Sequence, residues 1–399
     1  MNILPDGWEE VELLKYIELV KSGVKPFKGK KKYIDTGSIE TGKILRFIDV
    51  NFESRPSRAN MEVEENDVLF AKMKNTEKIY LISKIDANNL YSTGFAILRI
   101  KDKLKLIPEY IYFWLRTKEF QSKKNKECTG ATQKAINETK LKKFKIIIPS
   151  LKIQKKIVII LKKNDELLKR CVYADELTNQ LIQSVFYDMF GDPIKNDKKW
   201  EMVKLNEVFN EMYRYPTFYG FKYVPKGVPV LKISNMLGNG KFIENIEHYD
   251  KIPKEISKKY PRTIVINEDI VLEVRGTYIG KCALVSPFLV GANVSPNAMR
   301  LSPNRKKIDS NYFIYLTFTD GWKTQIKKMV NYWKGGFGTI KSSDLKILKI
   351  PLPPLSIQQK FACIVEKTEA IRNNQKHDRH EINNLFDALI QKAFNGELK

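Results

Sequence analysis

Cysteine is scarce in this 399-residue chain. The four present, Cys128, Cys171, Cys282 and Cys363, are widely separated and form no C-x-x-C pair. That excludes a zinc ribbon and a disulfide framework, and it fits a reducing compartment. Only three histidines occur, and two of them, His377 and His380, stand one helical turn apart. Without cysteine or carboxylate partners at ligand spacing they read as solvated helix positions. The longest unbroken aliphatic run, Ile157 to Leu161, falls far short of the roughly 18 residues a membrane span needs. The opening MNILPDGWEEVELL is acidic and interrupted, unlike a secretory leader. The expectation is a soluble, cytoplasmic chain with no membrane contact.

Catalytic and cofactor motifs are missing as well. The nearest approach to a phosphate-binding loop, GTYIGKC from Gly276 to Cys282, has too few residues between its glycines. It also lacks the Ser/Thr that holds magnesium, so it reads as a glycine turn between strands. No G-x-G-x-x-G follows a strand, and no Asn/Asp-Pro-Pro-aromatic tetrapeptide, as used by amino-methyltransferases, is found. Glu-x-Lys pairs such as Glu138-Thr139-Lys140 do occur, but 29% charged residues produce such pairs by chance. The chain is expected to carry no catalytic residue, cofactor or metal of its own.

Positive charge, by contrast, is abundant. Lys and Arg total 70 against 46 Asp and Glu, a net +24, and such an excess attracts polyanions, of which nucleic acid is the commonest. The excess is unevenly placed. Residues 1–150 carry 29 basic against 20 acidic side chains, and residues 197–352 carry 26 against 14. Residues 151–196 (8 against 6) and 353–399 (7 against 6) are almost neutral. Two basic blocks therefore alternate with two neutral ones.

An internal repeat explains the alternation. Trp8-Glu9-Glu10-Val11-Glu12-Leu13 recurs as Trp200-Glu201-Met202-Val203-Lys204-Leu205. Pro149, Leu151, Ile153 and Gln154 recur as Pro353, Leu355, Ile357 and Gln358, and Asn66-Asp67-Val68-Leu69 recurs more weakly as Glu268-Asp269-Ile270-Val271. Each copy is a basic block followed by a neutral one. The neutral blocks read as long amphipathic helices in a 3-then-4 spacing, the pattern of a coiled coil. The expected seam uses Ile157, Ile160, Leu167, Leu181 and Val185 in the first helix. In the second it uses Phe361, Ile364, Ile371, Ile382, Leu385 and Leu389, with polar residues such as Asn164, Gln375 and Asp378 between the apolar ends. About 33 residues at about 1.5 Å each give helices about 50 Å long, suited to a spacer.

The basic blocks read as α+β. Strand-like runs (Lys78–Ile85, Phe95–Ile100, Ala283–Val285) alternate with Gly, Asn and Pro punctuation. One helix is expected at Glu109–Thr117 and its counterpart at Asn311–Phe318. Basic loops with interleaved polar and aromatic residues mark the candidate binding positions. In the first block these are Lys30, Lys31, Lys32 and Thr36; Arg55, Ser57 and Arg58; Lys72, Lys74 and Asn75; and Thr132, Gln133 and Lys134. In the second they are Lys232, Ser234 and Asn235; Arg275, Thr277 and Tyr278; and Asn331, Tyr332 and Lys334. Phosphates take Lys, Arg and backbone N–H donors, whereas base edges take Arg, Lys, Asn or Gln in matched patterns.

At the repeated motif the chain resembles a known family. IPLPPLSIQQK, from Ile350 to Lys360, entering a long helix, is similar to the conserved regions of type I restriction–modification specificity (S) subunits. PSLKIQK, from Pro149 to Lys155, is its degenerate first copy, with Ser150 where the family favours a second proline. LPDGW at the start, Pro56-Ser57-Arg58-Ala59 and Gly130-Ala131-Thr132-Gln133 match as well, so the resemblance runs through essentially the whole chain. Asn66 and Glu268 depart from the family's usual Gly-Asp-Ile.

The resemblance implies two mixed target-recognition domains in tandem, 1–150 and 197–352, each reading one half of a split double-stranded DNA sequence. Two helices, 151–196 and 353–399, would pair as an antiparallel coiled coil, giving an internal pseudo-two-fold repeat, and would grip methyltransferase (M) subunits, two in number. S-adenosylmethionine would belong to M, and ATP and Mg to restriction (R) subunits joined through the complex. An S subunit serving a fused modification–restriction polypeptide fits the same residues. A scaffold or RNA-binding protein is the reading from a different class, and a nuclease or self-sufficient methyltransferase would need motifs that are missing.

If the helices are the ruler between two readers, four residues inserted near Cys171, about 6 Å of helix, lengthen the unread gap by one or two base pairs. Both half-sites then survive. Genome-wide mapping of the methylated motif checks this, and altered half-sites with a fixed gap would show that the helices set no distance.

Overall fold

The computed structural model describes residues 4–131, 133–214, 222–332 and 337–398. The chain forms two compact units whose boundaries differ from a simple succession of four segments. Unit 1 combines Met1–Tyr173 with Lys376–Lys399, and unit 2 is Ala174–Gln375. The cut falls inside both neutral blocks, which are single helices of 40 residues, Leu151–Phe190 and Leu355–Phe394. Each unit thus owns one basic block, the start of one long helix and the end of the other.

Within unit 2 the end of the first helix runs antiparallel to the start of the second. Phe186 and Phe190 approach Phe361 with ring centroids 5.5 and 5.3 Å apart, and further along the Gln375 amide donates to Thr178 Oγ1 at 3.2 Å. Unit 1 uses the opposite ends: Ile157, Val158 and Leu161 share a core with Phe386, Ile390 and Ala393.

One half of the expected seam is where the spacing put it. Ile157 and Phe361 are buried, and Val185, Ile382 and Leu389 are half-buried. The other half is displaced by one residue. Leu167, Leu181, Ile371 and Leu385 are 44%, 52%, 52% and 51% exposed, while Ile160 and Ile364 are only half-buried. The inward stripe instead follows Leu161, Leu168 and Ile182, and Val365, Arg372 and Phe386. Steps of 3-then-4 and 4-then-3 have the same mean period. Because the chain offers apolar neighbours at both registers (Ile160-Leu161, Leu167-Leu168, Leu181-Ile182), periodicity alone could not choose between them.

The two units are built alike. In unit 1 Glu9–Glu12 pairs antiparallel with Lys145–Ile148, the strand that leads into the first long helix. A four-stranded sheet runs in the order Ile17–Leu19, Phe95–Ile100, Val68–Ala71, Ile79–Leu81, and a second in the order Ile48–Val50, Lys31–Ile34, Leu90–Ser92, Ala59–Glu62. Unit 2 repeats the plan. Glu201–Lys204 pairs with Lys349–Leu352, and the main sheet runs Phe209–Arg214, Ala298–Pro303, Ile270–Glu273, Cys282–Leu284. Helices Pro108–Trp114 and Ser310–Phe318 lie at the two expected places, and each supplies core aromatics.

The repeated glutamine is the staple of each unit. Gln154 is fully buried; its Oε1 accepts from Ile107 N at 3.1 Å and its Nε2 donates to Lys105 O and Pro149 O, both at 2.8 Å. Gln358 repeats this with Asp309 N (2.9 Å), Lys307 O (3.2 Å) and Pro353 O (2.7 Å). One amide thereby satisfies three backbone groups where the long helix starts, groups that would be costly to bury unpaired. The hydroxyls of Tyr110 and Tyr312 add a parallel tie, to Ile147 O and Pro351 O.

The repeated aspartate closes a turn. Asp67 accepts from Glu64 N (2.8 Å) and takes a two-pronged contact from Arg99, at 2.9 and 2.7 Å. Asp269 accepts from Ile266 N (2.8 Å) and from Arg300 Nε (2.6 Å). The preceding residues, Asn66 and Glu268, sit at φ 74° and 66°, so the left-handed turn survives without the family's glycine. Asparagine tolerates that conformation; glutamate is strained in it. Glu268→Gly is therefore expected to raise stability by about 0.5–1 kcal/mol and Asn66→Gly to change it little, read as shifts in the urea midpoint. A destabilised Glu268→Gly protein would instead mean that the exposed Arg305–Glu268 contact (3.0 Å) outweighs the backbone strain.

Candidate nucleic-acid interface

Scattered candidate residues converge on one loop pair per unit. In unit 1 the loop after Val68–Ala71 meets the loop before Ile136. Met73 and Thr129 both bridge to Ala135, Lys74 N donates to Lys134 O (2.9 Å), and Ile136 N donates to Lys72 O (3.0 Å). This gathers Lys72, Lys74, Asn75, Gln133 and Lys134; the Gln133 amide lies 2.7 Å from Met73 Sδ. In unit 2 the same connection is a small sheet. Arg275–Gly276 and Asn331–Tyr332 both pair with Gly338–Thr339, bringing together Arg275, Thr277, Tyr278, Asn331 and Tyr332. Arg275↔Thr339 and Asn331↔Thr339 are the repeat equivalents of Met73↔Ala135 and Thr129↔Ala135. Thr132 and Lys334 lie outside the described residues.

Each loop is held from beneath. In unit 1 helix Lys118–Glu127 grips it: the buried Lys124 ammonium donates to Thr76 O (2.6 Å) and Asn125 Oδ1 accepts from Asn75 N (2.8 Å). Asn75 itself sits at φ 55°. In unit 2 the support is Glu273, a buried carboxylate whose Oε1 accepts from Tyr278 N at 3.1 Å. Burial pushes its pKa up. Gly276 is required there, because a Cβ would fall 2.3 Å from that oxygen and the backbone sits at φ 142°. The chain on either side leaves Tyr278 and Tyr332 largely exposed. Arg214, whose pKa burial and the neighbouring Arg275 both lower, adds a second guanidinium nearby.

Thr36 joins the unit 1 loop pair, since a Cβ on Gly94 would lie 2.9 Å from its methyl and Gly94 O accepts from Lys72 N. Lys78 donates to Thr36 O and Lys281 to Met236 O, each at 2.7 Å, so in each unit a lysine ties the turn that follows the parallel strand, at opposite ends of that turn. The remaining candidates divide by what their side chains already hold. Lys30 and Lys32 are exposed and line a basic cleft of about 580 Å³ with Lys28, Arg46 and the exposed Phe47 and Ile85. Lys31 is partly spent on Glu62, at 3.2 Å. Arg55 lies over the Phe52 ring and bonds its carbonyl, whereas Ser57 and Arg58 are exposed on the turn before Ala59–Glu62. In unit 2 Lys232 is bonded to Asp250 and stacked on Tyr223, and Ser234 is exposed. Asn235 is buried and fully used, accepting from Lys232 N (2.9 Å) and donating to His248 O (3.0 Å), so its amide caps a turn.

Sequence reasoning placed Lys28 at the head of the lysine run but overlooked Arg46, Arg214, Lys124 and Glu273. A basic residue beside an aromatic, as in Arg46-Phe47, was the available signal for one of them. The rest depend on folding. Among the described residues no group of His, Cys, Asp and Glu could hold a metal, and no helix is long and apolar enough to cross a membrane.

The chain matches the family model described as the type I restriction modification DNA specificity domain twice, over residues 5–175 and 197–384. It is similar to the type I restriction enzyme MjaVIII specificity subunit of Methanocaldococcus jannaschii, at 25% identity over 99% of this chain and 94% of that protein. The EcoBI specificity subunit of Escherichia coli is 27% identical over 50% of this chain and 42% of its own length. Among solved structures, a chain from a study of complex assembly and conformational transition of a type I restriction–modification system shares the fold. Its TM-score is 0.66 at 20% identity, covering 99% of this chain and 100% of that one. The type I S subunit from M. genitalium aligns with a TM-score of 0.54 at 16% identity, over 97% and 96% of the two chains.

The geometry separates the three clustered lysines. Replacing Lys30 and Lys32 with alanine is expected to weaken binding to every duplex and to flatten the log–log salt dependence by about 0.9 per lost phosphate contact. Lys31→Ala has the smaller effect, since its ammonium is partly neutralised by Glu62. An unchanged slope in the double variant would leave that cleft as a solvated face.

Proposed function

This chain belongs to the family of type I restriction–modification DNA specificity domains, and from that premise we propose that it reads a split duplex sequence, one half-site per unit. In doing so it directs methyltransferase and restriction subunits to that target. The observation that carries this reading is the recurrence of one loop pair in both units with different side chains on it: lysine, asparagine and glutamine in unit 1, and arginine, tyrosine and asparagine in unit 2. A common backbone frame with unlike donors is what two readers of unlike half-sites require.

The chain supplies recognition only. S-adenosylmethionine is held by the M subunits, ATP and Mg by the R subunits, and no chemical step is assigned to these residues. The long helices serve the partners. Leu167, Val172 and Tyr173 on the unit 1 segment, and Leu177, Leu181 and Ile371 on the unit 2 segments, leave apolar surface in solvent. Apolar side chains left exposed along a helix favour burial against another protein, here two M subunits acting in the cytoplasm. Whether M and R are separate chains or one fused polypeptide is decided by the neighbouring genes. The RNA-binding alternative predicts retention on single-stranded RNA at least equal to that on duplex DNA at matched salt.

Exchanging residues 1–150 for the equivalent block of another family member is expected to change one half of the methylated motif and leave the other intact. If both halves changed together, the two-reader assignment would be wrong.

A further inference from the structure

We propose that Lys72 is a sequence-reading residue of unit 1 and that it recognises a guanine in the first half-site through the O6 and N7 acceptors. The inference rests on the proposed function, and the place of Lys72 in the fold carries it. The residue lines a groove of about 700 Å³ whose polar lining includes Lys21, Ser22, Thr93, Thr129, Asn137 and Glu138, the last paired with Lys142 at 3.2 Å. Its backbone is held on both sides: Lys72 N donates to Gly94 O at 3.0 Å, and its carbonyl accepts from Ile136 N at 3.0 Å and from the Cys128 thiol at 3.6 Å. The root of the side chain is therefore fixed, as a discriminating contact requires.

Lys72 is half-buried, and among the described residues its ammonium makes no hydrogen bond or ion pair. Other lysines of the unit are engaged: Lys78 on Thr36 O, Lys124 on Thr76 O, Lys31 on Glu62. Burial lowers the Lys72 pKa, the mark of a cation held where it is poorly solvated. That cost is recovered only when an acceptor arrives. Lys30, Lys74 and Lys134 are exposed and can meet phosphates without it. The groove is also partly apolar, with Leu19, Met61 and Phe95 in its lining, which suits the edge of a neutral base better than a strongly hydrated phosphate.

The repeat sharpens the assignment. The residue equivalent to Lys72 in unit 2 is Val274, fully buried, and in that unit the neighbouring exposed position is Arg275. Contacts to the sugar–phosphate backbone serve any sequence and can be shared by both readers; a group that only one reader possesses carries what differs between the half-sites. Among neutral base edges in the major groove, guanine presents two adjacent acceptors and no competing donor, the arrangement a donor-only side chain selects.

The test uses the full chain assembled with its methyltransferase subunits, on duplexes carrying the motif mapped from genomic methylation. Each guanine position of the first half-site is replaced in turn by 7-deazaguanine, which removes N7. The wild-type complex is expected to lose about tenfold in affinity at one position, and Lys72→Met to be indifferent to the analogue there while binding the second half-site normally. Lys72→Arg, which keeps the cation, is expected to retain the dependence. If no first-half guanine is sensitive in the wild-type complex, the inference is overturned whatever the variants do. It is equally overturned if Lys72→Met weakens all duplexes alike with a log–log slope smaller by about 0.9, the signature of a phosphate contact. Failure of the wild-type complex to recognise any split site would instead remove the functional reading beneath it.

Discussion

Neither unit closes its core with its basic block alone, and the rest of the architecture follows from that constraint. The unit 1 core is completed by Phe386, Ile390, Ala393 and Phe394, more than 200 residues beyond the sheets they cover, with Phe394 against Tyr110 at 4.8 Å between centroids. Unit 2 is completed by Ile182, Phe186 and Phe190 from before its basic block and by Phe361 and Val365 from after it. Apolar burial is the main force that drives folding, so each long helix is bound at its start to one unit and at its end to the other.

The buried glutamines are where that commitment begins. Gln154 and Gln358 satisfy the backbone at the point where strand becomes helix, leaving neither amide oxygen nor amide nitrogen unpaired. Further along the helices polar contacts replace apolar ones. Arg116 bonds Asp165 at 2.7 Å and lies 4.4 Å from the Phe386 ring in unit 1; in unit 2 Glu369 takes both Lys241 and Arg372. Half-buried ion pairs of this kind add little net stability but penalise a slipped register strongly, because slippage would leave a charge buried alone.

Where the repeat is kept and where it has diverged follows the same division. The glutamine staples and the Asp turns recur in both units. The loop pairs keep their backbone connection but exchange almost every side chain, and their supports differ too: the Lys124 ammonium in one unit, the Glu273 carboxylate in the other. Unlike side chains from different elements can thus hold equivalent loops, provided the loop's backbone is bonded.

The sequence alone determined the duplication, the two long helices and the mixed strand–helix blocks, because each rests on local pattern: repeated motifs, 3.5-residue spacing, and punctuation by Gly, Asn and Pro. It also marked the positions that carry positive charge. It could not choose between seams one residue apart, since apolar neighbours satisfied both, and only burial of Leu161 and Phe386 in place of Ile160 and Leu385 decided it. Nor could it tell a spent side chain from an available one. Asn235, Lys31 and Lys72 look alike as polar residues near strand ends. Yet the first is buried in a turn, the second faces a carboxylate, and the third lines a groove without a hydrogen bond or ion pair of its own among the described residues. Those differences arise from partners 13, 31 and more residues away in the chain, and distance along the chain is what a local pattern does not record.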